Sequence, residues 1–178
     1  MASGKKANTW HFGMKEHIAA CSEFGIIYGT VAAPANEHDI THLGDLLKGL
    51  EKKVFLDSGY IGCHKRAEIQ AIPFKDVSWY IAARPSAWKK ELSISENVGG
   101  ELGQALVECV NVKRQLEHAK ASVRCSIEWC FLWLKRIYGY AKVRYRGLAK
   151  NHSRAVTLFA LYNCNRLRKW CAPPKLPC

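Results

Sequence analysis

The sequence predicts a mixed α/β domain, and three observations carry that reading. Apolar residues alternate early in the chain, at Trp10, Phe12, Met14 and Ile18, and run β-branched from Ile26 to Ala33, as strands do. They recur with helical spacing late in the chain, from Leu116 to Tyr138 and from Ser153 to Trp170. Between these halves lies one strand–helix–strand unit. Strands first, helices last and a crossover unit in the middle is a layered α/β pattern.

Taken in order, residues 9 to 20 form the first strand, and Phe24-Gly25 turns the chain into the second, which Pro34-Ala35-Asn36 breaks. Asp39 to Leu50 has Ile40, Leu43, Leu46, Leu47 and Leu50 on one side and predicts a helix. Val54-Phe55-Leu56 is a short buried strand that ends at Asp57, where Ser58-Gly59 turns the chain. A helix over Cys63 to Ala71 and a strand over Val77 to Ala83 complete the central unit. Arg84 to Gly103 contains Pro, Ser and Gly and reads as loop-rich, and the tail Ala172 to Cys178 contains three prolines. No internal repeat is visible.

The chain has 178 residues, of which 48% are hydrophobic. It is long enough for one domain with its own core and too apolar for a disordered chain. No apolar run approaches the about 18 residues of a membrane span, and Met1 is followed by Ala-Ser-Gly-Lys-Lys rather than a signal sequence. Cytoplasmic residence is therefore expected. Cysteines stand at 21, 63, 109, 125, 130, 164, 171 and 178. None is spaced as C-x-x-C or as a zinc finger, so free thiols in a reducing compartment are expected and a zinc protein is not.

The charge of +12 is unevenly spread. Residues 1–110 carry 12 Lys/Arg and 13 Asp/Glu, a net of −1, whereas residues 111–178 carry 15 Lys/Arg and 2 Asp/Glu, a net of +13. A solvated face normally mixes both signs. A single-sign field over one third of the chain suits a polyanion, because neutralised phosphates release counterions.

Two places carry candidate chemistry. Asp57 stands at the carboxyl end of an apolar strand, where ligands of α/β sheets gather; it is also a residue type that opens turns. In the helix from Leu116, Arg124 and Lys135 lie about 40° and 20° around the axis from Glu128 at about 100° per residue. The three share a polar stripe beside an apolar one of Val123, Ile127, Cys130, Leu134 and Ile137, which is expected to pack on the sheet. Ordinary i, i+4 charge pairing gives the same pattern.

Together, several stretches resemble the bacterial insertion-sequence transposases of the DDE type, in particular the IS-five-like group within the IS-four superfamily. Asn8-Thr9-Trp10-His11-Phe12-Gly13-Met14-Lys15 is similar to that family's N-x-W-x-F-G-x-K strand, and Ala35-Asn36-Glu37-His38-Asp39 to its A-N-x-H-D motif. Asp57-Ser58-Gly59-Tyr60-Ile61-Gly62 resembles its D-x-G-Y-x-G motif around the second catalytic aspartate. Arg124-x3-Glu128-x6-Lys135 has the spacing of its C-terminal signature, and Tyr140 to Asn151 resembles the basic segment that follows. Five motifs in the family's order, between about residues 5 and 168, are specific.

The resemblance implies an RNase H-like fold, a mixed sheet flanked by helices. It implies two divalent ions, Mg²⁺ or Mn²⁺, held between two Asp and one Glu, with Asp57 and Glu128 as catalytic carboxylates and metal ligands. Hard cations prefer such oxygens, and two of them roughly 4 Å apart can hold the attacking and leaving oxygens of phosphoryl transfer. Arg124, Lys135 and Tyr60 take supporting places, and Lys142, Arg144, Arg146 and Lys150 contact DNA. In an extended segment the first three of these point one way, beside Tyr140 and Tyr145. The expected partners are transposon-end and target DNA, with a second copy of the chain or an upstream transposase polypeptide, and no membrane.

The family's first catalytic aspartate precedes the N-x-W-x-F-G strand. Only seven residues precede Asn8 and none is acidic, so the expectation is a truncated catalytic domain over 1–171, with a Pro-rich tail at 172–178. This domain lacks its first, central strand and has two unpaired edges, between 9–20 and 53–57, that invite pairing with other chains. Asp39 belongs to its own motif and is a poor stand-in. Trp129-Cys130 replaces the family's His-Pro after the glutamate, Ala121 stands where the related IS-four pattern has Tyr, and together with the extra cysteines the Trp-Cys pair reads as drift. The functional expectation is a transposase fragment that binds DNA but does not cut it alone. The alternative is a non-catalytic basic nucleic-acid-binding protein.

Overall fold

The computed structural model describes residues 1–6 and 8–171; the Pro-rich tail expected at 172–178 lies outside the described residues. In chain order they form β1 (Ala2–Lys6), β2 (Thr9–Ala20), β3 (Ile27–Pro34), a 3₁₀ turn (Asp39–His42), α1 (Leu43–Leu46), β4 (Lys53–Leu56), 3₁₀ turns at Ser58–Tyr60 and Cys63–Lys65, and α2 (Ala67–Gln70). β5 (Ser78–Ile81), α3 (Pro85–Val98), α4 (Gly100–Leu132), a π-helical turn (Trp133–Ile137) and α5 (Leu148–Cys171) follow. The chain divides into two compact units, one built from Met1–Lys48 and the chain from Ser126 onward, the other from Gly49–Cys125.

In the first unit three antiparallel strands lie in the order β1-β2-β3. β2 is long enough to serve both neighbours: Thr9 to Gly13 pairs with β1, and Met14 to Ala20 pairs with β3, with a bulge between Ala19 and Ala20. Helix α5 packs on β3. Its Ala155, Phe159 and Tyr162, spaced i, i+4, i+7, form one apolar stripe and join Ile27, Cys130, Leu134 and Tyr140 in a single buried cluster. Polar anchors fix the two elements. The Ile27 N–H donates to Asn163 Oδ1 (2.9 Å), Asn163 Nδ2 donates to Ile27 O (2.7 Å), and Arg166 Nη2 donates to Phe24 O (2.9 Å).

In the second unit β4 and β5 are parallel and in register from Lys53↔Ser78 to Leu56↔Ile81, which requires the crossover that the sequence suggested. Val54, Cys63 and Ile69 are buried there. The Lys113–Glu91 ion pair (2.8 Å) between α4 and α3 is well exposed and contributes little.

The mixed α/β class stands, and β2 to β5 lie within a residue or two of their expected places. The strands form a three-stranded antiparallel sheet and a two-stranded parallel sheet, consistent with a partial RNase H-like fold. β1 lies along only the first half of β2, Thr9 to Gly13, and among the described strands Met14 to Ala20 pairs with β3 alone; β1 carries no acidic residue. Several expectations need correction. The helix expected over Asp39 to Leu50 stops at Leu46, because Leu47 turns extended (ψ 143°). The helix expected over Cys63 to Ala71 is split by Arg66 (φ −79°, ψ 140°) into a 3₁₀ turn and one turn of α-helix. Arg84 to Gly103 is not a loop. Arg84 is extended, as a residue before proline prefers, and Pro85 opens α3 at a position that needs no N–H. Gly99 and Gly100, both at positive φ, supply the break before α4, which begins 16 residues ahead of the expected Leu116.

The apolar stripe of α4 also fails at its end. Cys130 and Leu134 are buried, but Ile137 is 62% exposed. The cause is the π turn, in which the Tyr138 N–H reaches back five residues to Trp133 O (3.1 Å). A wider turn shifts every later side chain off the 3.6-residue stripe. Leu134→Ala is therefore expected to cost about 2–5 kcal/mol, and Ile137→Ala no more than about 0.5 kcal/mol. Urea midpoints of the two variants test this; equal losses would mean that the helix runs on without the π turn.

Candidate functional site

The second unit presents Asp57 as a strand-end carboxylate. Parallel β4 ends at Leu56, and Asp57 follows in extended conformation and caps the 3₁₀ turn Ser58–Tyr60, its Oδ1 accepting from the Ser58 N–H (2.7 Å). Arg124 Nη2 of α4 lies 3.5 Å from the same Oδ1. Asp57 is thus both the turn cap that its residue type suggested and the ion-pair partner of Arg124. Tyr60 closes the same turn and is half-buried.

Helix α4 meets the ends of both parallel strands. Glu117 Oε2 accepts from the Ala83 N–H (2.8 Å), just past β5, while Lys120 Nζ donates to Ile81 O (3.2 Å) and to Glu117 Oε1 (2.6 Å). Burial raises the Glu117 carboxyl, but the hydrogen bonds from Lys120 and Ala83 together outweigh it, and the net shift is downward. Glu117 and Lys120 were missed from sequence. A signal was present: Glu117 and Glu128 are the 2 acidic residues of the basic third.

Glu128 on α4 and Lys135 on the π turn are exposed side chains of the first unit, whereas Asp57 and Arg124 belong to the second. Carboxylates suit a hard divalent ion. Among the described residues, however, no group of three or more His, Cys, Asp or Glu could hold a metal ion. The donor set within each unit does not amount to a two-metal centre, and no cleavage step is derived through one.

The motifs of the first unit lock together. Lys15, from the N-x-W-x-F-G-x-K strand, donates to Asp39 Oδ1 (2.9 Å) and Glu37 O (2.8 Å) of the A-N-x-H-D motif. His42 Nε2 lies 2.8 Å from Glu37 Oε2, close but not aligned as a hydrogen bond. Glu16 lies beside His152 (3.2 Å); burial pushes its carboxyl up, against the attraction and hydrogen bond of His152. The His17 ring stacks on His42 at 5.1 Å, and its buried Nε2 has no hydrogen-bond partner.

The basic segment takes its shape from Asn151, which is fully buried. Its Oδ1 accepts from the N–H groups of Arg144 and Tyr145 (both 3.2 Å), and its Nδ2 donates to the carbonyls of Tyr145 (2.6 Å) and Gly147 (2.7 Å). The Tyr140 hydroxyl donates to Asn151 O (3.1 Å). Lys142, Arg144, Arg146 and Lys150 all remain exposed. The segment is an irregular loop and not an extended strand, because the Asn151 amide takes up the backbone groups that a sheet partner would need. Tyr140 is buried in the core and does not stand beside the cations. Tyr145 does, and Arg154 lies over both rings, 5.4 Å from Tyr140 and 5.9 Å from Tyr145.

Comparison with known families decides what this arrangement belongs to. Residues 1–164 match the transposase DDE domain. The chain belongs to that family. Its fold is consistent with a partial RNase H-like DDE fold, and family membership gives it a role in DNA transposition with DNA as partner. Transposases of this family typically use a divalent metal ion. No solved structure matches the chain. No helix among the described residues is long and apolar enough to cross a membrane, and the cysteines described are all free thiols.

Two outcomes are expected. Asn151→Ala removes four partners at once and Asn151→Asp points an anionic oxygen at two carbonyls, so each variant should speed hydrogen exchange of the Arg144 and Tyr145 amides. The increase should be about tenfold, the weight of one net hydrogen bond of roughly 1–1.5 kcal/mol; unchanged exchange would show that the loop holds without the amide. The second concerns acid. Burial, chiefly, and the repulsion of His42 and Lys15 lower the His17 imidazole below 6.5, while Asp39 and Glu37 pull it up. Between the lowered value and 6.5 the unfolded chain binds more protons, so stability should fall as pH falls through that window. His17→Phe should flatten this part of the urea-midpoint profile, and a slope equal to that of the parent chain would exclude His17 as its source.

Proposed function

We propose that this chain is a transposase polypeptide that holds DNA through its basic C-terminal part and does not cut or join DNA by itself. The observation that carries the binding is the net +13 over residues 111–178, with Lys142, Arg144, Arg146 and Lys150 exposed along a loop clamped by Asn151. A fixed loop presents its charges without a further ordering cost on binding.

On this reading residues 1–171 are one part of a catalytic domain. Asp57 and Glu128 are the carboxylates it contributes toward Mg²⁺ or Mn²⁺, supported by Arg124, Lys135 and Tyr60. The third carboxylate is left to an upstream transposase polypeptide. The inactivity rests on how the acidic residues of β2 and of the A-N-x-H-D motif are used. Glu16 is paired with His152, Glu37 with His42 and Asp39 with Lys15, so each answers a cation or imidazole rather than standing free for a metal. Removing one carboxylate from such a centre disables it rather than weakening it slightly.

The test has two arms. Affinity for duplex DNA should fall as salt rises, by about −0.9 in log K per log salt for each phosphate neutralised; a slope near zero, or no binding at low salt, rejects the DNA-binding half. Incubation with transposon-end DNA and Mg²⁺ or Mn²⁺ should leave the ends intact. Nicking that Asp57→Ala abolishes would reject the inactivity, and nicking that appears only with an added upstream fragment would identify the source of the missing carboxylate.

A further inference from the structure

Beside the clamped loop, on the first three turns of α5, is an open cleft of about 480 Å³ lined by Tyr145, Lys150, Ser153, Arg154, Thr157 and Leu158. Its size falls within the roughly 300–1,000 Å³ of sites that take small molecules or single groups. We propose that this cleft takes one unpaired nucleotide of a DNA strand, so that the basic end prefers DNA with a single-stranded segment over blunt duplex. The proposal rests on the DNA-binding reading above and adds to it the form of DNA that is held.

The lining has the two components that single-strand recognition needs. Tyr145 is 49% exposed, and its bonds to Asn151 run through its backbone, so the ring is presented by a fixed main chain and does not hold that main chain in place. Arg154 lies over the ring and adds a planar cation, a second surface on which a base can stack. Leu158 supplies an apolar wall. The phosphate component comes from the exposed Lys150 and from the Ser153 hydroxyl. Thr157 Oγ1 donates to Ser153 O (2.9 Å), which fixes its lone pairs and leaves the Ser153 hydroxyl as the donor to phosphate oxygen. A duplex offers a protein its phosphates but keeps its base faces stacked. The phenol ring and apolar wall gain a partner only where a base is unstacked.

Fluorescence anisotropy of the full chain with three labelled probes tests this: a blunt duplex, the same duplex with a short thymidine overhang, and the same duplex with an overhang of abasic sites. The thymidine overhang should bind about tenfold tighter than blunt duplex, the weight of one aromatic–base stack, and the abasic overhang should bind like blunt duplex. Tyr145→Ala should bring the thymidine probe down to the blunt value and Tyr145→Phe should keep the preference, while Lys142→Ala should weaken all three probes alike. Equal binding of blunt and thymidine probes, a preference that survives Tyr145→Ala, or an abasic overhang as tight as the thymidine one would each overturn the nucleotide site while leaving DNA binding intact. Absence of binding to any probe at low salt would overturn the DNA-binding reading itself.

Discussion

A single buried amide governs the basic end of this protein. An uncompensated amide in an apolar interior costs several kcal/mol, yet Asn151 is fully buried because both of its halves are used. Its oxygen takes two N–H groups and its nitrogen feeds two carbonyls. Only Asn or Gln carries an acceptor and two donors on one group, and Asn is the shorter. The consequence reaches in both directions along the chain. Upstream, the loop is pulled against the start of α5, so that Tyr140 can enter the core and hydrogen-bond Asn151 O. Downstream, the helix carrying Ala155, Phe159 and Tyr162 begins in a fixed phase, and that phase decides which residues meet β3.

The second unit is organised by a different device. Two parallel strands of four residues each are too short to hold a carboxyl end in place alone. Helix α4 supplies the missing constraint at three points, Glu117 on Ala83, Lys120 on Ile81 and Arg124 on Asp57. The spacing of three and then four residues puts these side chains on one helix face. Asp57 is therefore positioned by its own turn and by a helix far along the sequence, and Arg124 is set toward a carboxylate other than the glutamate one turn further on.

What was legible in the sequence follows from locality. β2, β3, β4 and β5 could be read because alternation and β-branched runs are properties of a few adjacent residues. The motif residues were legible as types in order: Lys15 and Asp39 stand in separate motifs, and nothing in either motif announces that they pair. Asn151 was invisible as a structural centre, since a polar residue near the start of a helix reads as surface or cap until the loop that wraps it is known. Helix α3 was lost to a rule applied in the wrong direction. Pro85 and the glycines at 99 and 100 read locally as loop, although proline at a helix start and glycine past its end are the marks of a bounded helix. Ile137 was misplaced because one extra residue in a π turn is a cooperative backbone event with no local composition signal.

The same distinction bears on the residues after Glu128. Trp129-Cys130 departs from the family's pattern and reads in sequence as drift. Drift that had cost the fold its constraints would leave a cavity or an unpartnered polar atom at the altered site. Cys130 is buried and partnered. It is fully buried at the centre of the first unit's core, its thiol lies 3.4 Å from Ser126 O and 3.5 Å from the Tyr162 hydroxyl, and burial pushes both the thiol and the phenol up so that each keeps its proton. A small, weakly polar side chain packed against a neutral phenol is a stable arrangement of a dry interior. Cys130 is therefore well accommodated by its surroundings, Tyr162 above all. Cys130 is part of the buried cluster on which α5 and the basic loop are mounted.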